Sequence, residues 1–509
     1  MPRKIKYPKS TGNRSALIRY LFWFLIAMYM LFSLLLFDPK PFTGGDNAVY
    51  INLAQSLVQG KGYKNLNQPG EPGHTQYPPG LPALLGLVML IFGKNIIVMK
   101  FFIMLCGLAA FYIFHLITLR IFKENHYLAM AAYLLVPILI NYNHWILSEI
   151  PFLLANLAAV YLILRAEEGK KAYYYPAFLC ANFAFFIRTT GIALIGAVLF
   201  YLIVRKKFRE SLIFLGIFLA LFIPWQIRNS HYSQTGGYLD QFLAKNFYQP
   251  ELGRIGVAEF FGRIFHNFRL YFFTILPQSL FSAIAASWLL FLLGLVCLAL
   301  LGYGFFIRRR EWSIFEFFLI FGVAVLLVWP EIWSSDRFLL PLLPVLMIYI
   351  LLGLTRLPSR FKYILPALGC FFVLVNFWAI LAQARVAVTN NREYLRGDRY
   401  AGYSPDWRRY FETIDWAKKN IPENQVIMAR KPEFVFLFSG HKSFVYPYTT
   451  DPDKMRASIN QADYVLLDNF SWTGTTRRYL LPVLQSEPDR YEVVYRSRPP
   501  EFYVLKVNK

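Results

Sequence analysis

Asp46 is the residue best placed by type and surroundings to do chemistry. It follows Gly44-Gly45 within residues 43–82, a polar, glycine- and proline-rich stretch between two very apolar regions. Asp46, Tyr50, Ala54 and Leu57 recur at helical spacing, so the segment can lie on a membrane with its polar edge turned inward. A carboxylate in a water-poor cleft can take the proton of an acceptor hydroxyl as that oxygen attacks an anomeric carbon, and Asp46 is the candidate general base. A lone carboxylate at such a boundary is more often a solvated charge or a helix cap. Its company is what distinguishes it. Tyr77-Pro78-Pro79-Gly80 closes the stretch in a rigid turn. Ser148-Glu149 opens a later apolar run; the pair is also an ordinary helix start, but Glu149 turned to the same cleft would bind sugar hydroxyls or help hold a cation, with His144 close by. Arg188, Asp336 and Arg337 stand at ends of apolar runs, where ionisable groups are functional candidates. The planar fork of arginine matches a phosphate; the bland alternative for Arg337 is snorkelling or a pair with Asp336. No cofactor is assigned. A divalent cation is compatible with Glu149, but no His/Cys/Asp cluster points to one. Cys106, Cys180, Cys297 and Cys370 all lie in apolar runs without a C-x-x-C, which argues against a disulfide framework or a zinc cluster.

These residues need a scaffold, and composition names its class. The chain has 509 residues, 56% apolar and 16% charged, a membrane-type composition. Its formal charge of +23 falls in short clusters between apolar runs, the mark of membrane topology rather than of nucleic-acid binding. Runs able to span are 16–37, 96–120, 126–143, 150–165, 172–187, 190–204, 211–227, 283–307, 313–330, 338–355 and 362–385, giving about 11 transmembrane helices. The run 16–37 is too long for a signal peptide and reads as an uncleaved anchor behind Arg3, Lys4, Lys6, Lys9 and Arg14. With residues 80–92 as a re-entrant or surface helix, the basic loops at Arg120/Lys123, Arg165/Lys170/Lys171, Arg205–Arg209, Arg308–Arg310 and Arg356/Arg360/Lys362 all share the cytoplasmic side with the N-terminus. The loop 38–79 and the stretch 228–282 then lie outside. So does everything beyond residue 386, where the composition turns polar and short strands alternate with helices. The expected organisation is a polytopic α-helical membrane domain over 1–385 and a small extracytoplasmic α/β domain with a largely parallel sheet over 386–509. The latter carries no catalytic signature and reads as a packing or acceptor-docking domain.

The ordered set Asp46/Tyr50, Gly-Lys-Gly-Tyr (60–63), Tyr-Pro-Pro-Gly-Leu-Pro (77–82), Leu-Ser-Glu-Ile-Pro (147–151), Phe-Ile-Arg-Thr-Thr-Gly (186–191) and Asp-Arg-Phe-Leu-Leu-Pro (336–341) resembles the GT-C glycosyltransferase superfamily. It is most similar to bacterial relatives of protein O-mannosyltransferases and of the lipid A aminoarabinose transferase. The resemblance implies a GT-C-like fold, a polyprenyl-phosphate sugar donor, an inverting transfer on the outer face of a bacterial inner membrane, and a first-loop aspartate, here Asp46, as base. It implies Arg337, with Arg188 and Tyr77, at the donor phosphate, and Tyr50, Glu149, His144 and Asp336 along the cleft. The acceptor would be a lipid, protein or polysaccharide. Two departures keep sugar and acceptor open: Asn47 stands where mannosyltransferases have a second acid, and Tyr77 where aminoarabinose transferases have lysine. Two rivals remain: a transporter or flippase of lipid-linked sugars, against which the one-sided clustering of polar residues and the lack of repeat symmetry argue, and a non-catalytic membrane protein whose α/β domain binds a partner.

Overall fold

The computed structural model describes residues 12–122, 126–232, 238–361 and 363–509. The expected cytoplasmic residues Arg3, Lys4, Lys6, Lys9, Lys123 and Lys362 lie outside the described residues. Among the described residues up to Leu395 the secondary structure is helical, apart from isolated bridges at Lys64–Gly73 and Ala244–Arg254. Among the described residues five helices are long and apolar enough to cross a membrane: Ile96–Phe122, Glu149–Glu167, Phe208–Tyr232, Ser287–Arg308 and Ile364–Leu395. Shorter apolar helices cover Tyr20–Leu35, Gly80–Phe92, Thr189–Val204, Ile314–Val328 and Leu343–Thr355. The chain is a polytopic α-helical membrane protein with a small β-containing C-terminal domain.

Two local breaks matter for the site. The run 126–143 is not one helix: His126–Leu134 stops before Pro137, which has no N–H to continue it, and Pro137–Asn141 leads into a tight turn at Tyr142–His144. The runs 172–187 and 190–204 form helices Tyr174–Ile187 and Ile192–Val204, parted by extended backbone at Arg188 and a single turn at Thr189–Gly191. Gly191 permits this close fold, since a Cβ there would stand 2.6 Å from the Phe185 backbone.

The C-terminal domain holds one five-stranded sheet of order β2-β1-β3-β5-β4, with β1 Ile427–Ala429, β2 Ser443–Phe444, β3 Tyr464–Leu467, β4 Tyr491–Arg496 and β5 Tyr503–Val507. The expectation of a largely parallel sheet is met only in part. β1 pairs parallel with β2 and β3, but β5 runs antiparallel to both β3 and β4. Residues 497–502 are too few for the crossover that a parallel return needs, so β4 and β5 close as a hairpin. The domain is fastened to the loop after the first helix. Asn52 Nδ2 donates to the Glu433 carbonyl (3.1 Å), Asn67 Nδ2 to the Ser443 carbonyl (3.2 Å), and Lys442 Nζ reaches Glu71 Oε1 (2.6 Å).

Candidate active site

Asp46 stands at the N-terminus of helix Asn47–Val58, where its side chain makes no capping bond and is free for other work. Before it, Gly45 has φ +71°, and a Cβ there would meet Arg337 Nη1 at 3.0 Å. Glycine is thus needed both for the backbone and for the approach of the guanidinium. Arg337 lies in the first turn of the short helix Asp336–Leu339. Its Nη2 is 3.5 Å from Asp46 Oδ2, and its Nε donates to Glu149 Oε1 at 2.6 Å. Arg188 reaches the same Glu149 oxygen (2.7 Å), donates to Ser148 Oγ (2.9 Å) and lies over the Phe338 ring at 5.0 Å. The Glu149 side chain is fully buried, whereas Arg188, Arg337 and Asp46 keep 11%, 24% and 27% of theirs exposed. Glu149 is therefore a buried anchor that sets two arginines side by side, with their remaining donors turned to a cavity.

That cavity has a volume of about 300 Å³ and is lined by Asp46, Tyr50, Tyr77, Arg188, Trp333 and Arg337, among others. The turn carrying Trp329 and Trp333 is held by Asn267, whose Nδ2 donates to the Leu327 and Trp329 carbonyls (2.9 and 2.7 Å). Tyr50 donates to Ser148 Oγ (3.4 Å) and packs edge-on against Tyr77, ring centroids 5.3 Å apart. Burial, and then the neighbouring Asp46 carboxylate, push both phenols above their ordinary value, so they remain neutral donors.

Tyr77 is positioned by a device that sequence reasoning did not single out. His74 Nε2 accepts from the Tyr77 backbone N–H (2.8 Å), and its Nδ1 pairs with Asn65 Oδ1 (2.7 Å). Burial, assisted by Arg228, lowers the His74 pKa to about 3, which keeps the ring neutral as this geometry requires. Arg228 in turn donates to the Tyr63 carbonyl at 2.7 Å. The signal in the sequence was only the place of His74 inside the loop, three residues before Tyr77.

Asp46, Tyr50, Tyr77, Arg188 and Arg337 thus meet at one cavity. Glu149 lies behind its wall rather than on it. Asp336 accepts from the Tyr142 hydroxyl (3.5 Å) and does not line the cavity; burial raises its carboxyl. His144 is set apart: it is buried beside Phe37, ring centroids 6.0 Å apart, and borders a separate cavity with Asp38, Trp145 and Gln383. Among the described residues no group of three or more His, Cys, Asp or Glu is placed to hold a metal ion. Lys431, two residues past β1 in the C-terminal domain, comes over to the cavity wall; like Trp333 it had no counterpart in the sequence reading.

A family model described as dolichyl-phosphate-mannose-protein mannosyltransferase matches residues 76–227, a segment that holds Tyr77, Glu149 and Arg188 but neither Asp46 nor Arg337. No curated protein matches the chain. In fold the whole chain is similar to ArnT from Cupriavidus metallidurans. Against the apo crystal structure the TM-score is 0.59 at 12% identity, covering 97% of this chain and 98% of that one. Against the crystal structure bound to undecaprenyl phosphate it is again 0.59 at 12% identity, covering 95% and 97%.

Proposed function

We propose that this chain, a relative of the GT-C-like membrane glycosyltransferases, is a glycosyltransferase that moves one sugar from a polyprenyl-phosphate carrier to an acceptor hydroxyl outside the cytoplasm. Asp46 takes the hydroxyl proton as the oxygen attacks the anomeric carbon from the face opposite the phosphate. The bond from that carbon to the phosphate oxygen breaks, and the polyprenyl phosphate leaves with the electron pair, so the anomeric centre inverts. Arg337 and Arg188 offer their free N–H donors to the phosphate and stabilise the charge that grows there as the bond breaks. Tyr50, Tyr77 and Trp333 surround the sugar. The long apolar carrier stays in the bilayer and only its headgroup enters the cavity.

The observation that carries this reading is the meeting of Asp46 with Arg337, 291 residues apart in sequence, and with Arg188 at one cavity beside the ends of apolar helices. The match at residues 76–227 and the ArnT-like fold support it, the second ArnT structure being one with undecaprenyl phosphate bound. In the same proposal about 11 spans run from a cytoplasmic N-terminus in a bacterial inner membrane, with residues 1–385 as the transferase domain and 386–509 outside.

The test is transfer by the full chain in lipid, with radiolabelled polyprenyl-phosphate sugars and a membrane extract as the acceptor pool. Wild type is expected to label a new product, and Asp46→Ala to slow this by about 10²–10⁴-fold. Full activity in a folded Asp46→Ala variant would remove the base assignment. Lipid movement by wild type without any transfer would remove the enzyme and favour a flippase.

A further inference from the structure

We propose that the C-terminal domain builds a second subsite, on the other side of Asp46 from the arginine-lined cavity, in which Arg430 and Lys431 bind an acceptor sugar bearing an anionic group. This rests on the transfer reading for the word acceptor; the binding site itself rests on four observations.

The first is a second cavity of about 300 Å³, lined by Asp46, Gln76, Tyr77, Arg430, Lys431 and Tyr448, among others. Asp46, Gln76, Tyr77, Tyr248 and Lys431 also border the first cavity. The carboxylate therefore stands where the two spaces meet, as a base must when donor and acceptor arrive from different sides.

The second is topological. β1 lies between β2 and β3, so the connection leaving β1 and the one leaving β2 carry the chain to opposite sides of it. A parallel sheet opens a crevice outside the carboxyl ends of its strands at such a switch point, and ligands bind there. Arg430 and Lys431 directly follow β1, and Tyr448 follows β2. The bonds from Asn52 and Asn67 turn this edge of the sheet toward the Asp46 loop.

The third is unspent charge. Arg430 is 6% exposed, yet among the described residues its side-chain hydrogen bonding is one bond from Nε to Thr475 Oγ1 at 3.0 Å. Among the described residues no carboxylate lies within 4.0 Å of the cationic nitrogens of Arg430 or Lys431. In the first cavity Arg188 and Arg337 are both engaged with Glu149. Glu433, which also lines this cavity, and Asp468 act on Arg430 through space without pairing with it, so its terminal amino groups keep a fork suited to phosphate or carboxylate.

The fourth is shape. Tyr248, Tyr448 and Trp472 surround the Arg430 guanidinium at 5.6, 5.4 and 5.2 Å from their ring centroids. Asn65, Asn67, Gln68 and Gln76 add amide donors and acceptors to the wall. Aromatic faces beside amides suit a sugar ring, and the cations select one that carries negative charge.

The experiment measures binding of glucose 6-phosphate, glucuronate and methyl glucoside to the full chain in nanodiscs by saturation-transfer NMR. Wild type is expected to favour at least one anionic sugar over methyl glucoside by about tenfold or more, the worth of one charged hydrogen bond. Glucose 6-phosphate winning points to a phosphate on the acceptor, glucuronate winning to a carboxylate. Arg430→Gln is expected to lose the preference, whereas Arg254→Gln, at an exposed ion pair bordering neither cavity, keeps it. Lys431→Gln, at a half-exposed side chain, is expected to lose part of it without unfolding and so guards against a folding artefact. Equal binding of all three sugars by wild type, or a preference kept in Arg430→Gln, overturns the subsite. Sugar transfer without anionic preference would remove the subsite and leave the transferase. An anionic preference without transfer from any carrier would do the reverse.

Discussion

Glu149 and Glu316 are the same residue in the same local setting, and they do different things. Each lies in the first turn of an apolar helix, each side chain is fully buried, and each is paired with arginine. Glu316 closes on itself. It receives the Ser313 backbone N–H (2.6 Å), the Ser313 hydroxyl (2.9 Å) and Arg308 Nε (2.8 Å), a capping box with an added cation. Glu149 holds two arginines through one oxygen, while its Oε2 has no hydrogen-bond partner among the described residues. Both arginines then border the Asp46 cavity. A buried carboxylate whose partners are used up is a fastener. One whose partners keep donors facing a cavity is the back of a site.

The sharpest way to break this comparison is at the arginines. Arg337→Lys is expected to lower kcat by about 10²–10³-fold, because a point charge cannot serve both Glu149 and a phosphate. Arg308→Lys is expected to leave kcat within about twofold, since neither Arg308 nor Glu316 borders the Asp46 cavity. Equal losses in the transfer assay would erase the distinction.

At the glutamates the expected difference is one of kind. Glu149→Gln leaves two cations without their shared anion, at a cost of about 3–5 kcal/mol, and should lower activity even in the folded fraction. Glu316→Gln should lower the thermal midpoint, with activity per folded molecule unchanged. Unfolding midpoints and transfer rates measured on the same preparations separate the two. A Glu149→Gln variant that is merely less stable would make it a fastener too.

At His74 the effect near neutral pH is the smallest and grows only on acidification. Its folded pKa, about 3, lies below the ordinary 6.5, so the unfolded chain binds the proton first as pH falls. Its contribution is whole above pH 6.5 and declines between about 6.5 and 3, by up to about 1.4 kcal/mol per pH unit. The thermal midpoint should therefore drop more steeply on acidification in wild type than in His74→Gln. Parallel curves would mean that the ring does not hold the Tyr77 turn.

Much of the molecule was legible along the chain. Composition and apolar run length give a polytopic membrane protein, and the change in composition near residue 386 announces a domain with strands. Asp46, Tyr77, Arg188 and Arg337 stand out because charge and rigid turns are rare beside apolar runs. These signals are local: a run of apolar side chains or a Pro-Pro-Gly turn has its effect within a few residues. His144 was legible as a candidate for the same reason, and the break at Pro137 instead carries it to a different cavity. The hairpin that makes the sheet mixed was missed because strand direction depends on the partner, not on the strand's own residues. Arg430 and Lys431 resemble any basic pair in a polar domain, and His74 any loop histidine. What gives them meaning is a docking interface formed by residues far apart in sequence, Asn52 on Glu433 and Asn67 on Ser443. The sequence determined which groups the protein has to work with and that they belong at a membrane. Tertiary structure alone decided which charges are cancelled and which are left facing a cavity, because cancellation depends on distances of a few ångströms between residues far apart in the chain, as Asp46 and Arg337 are.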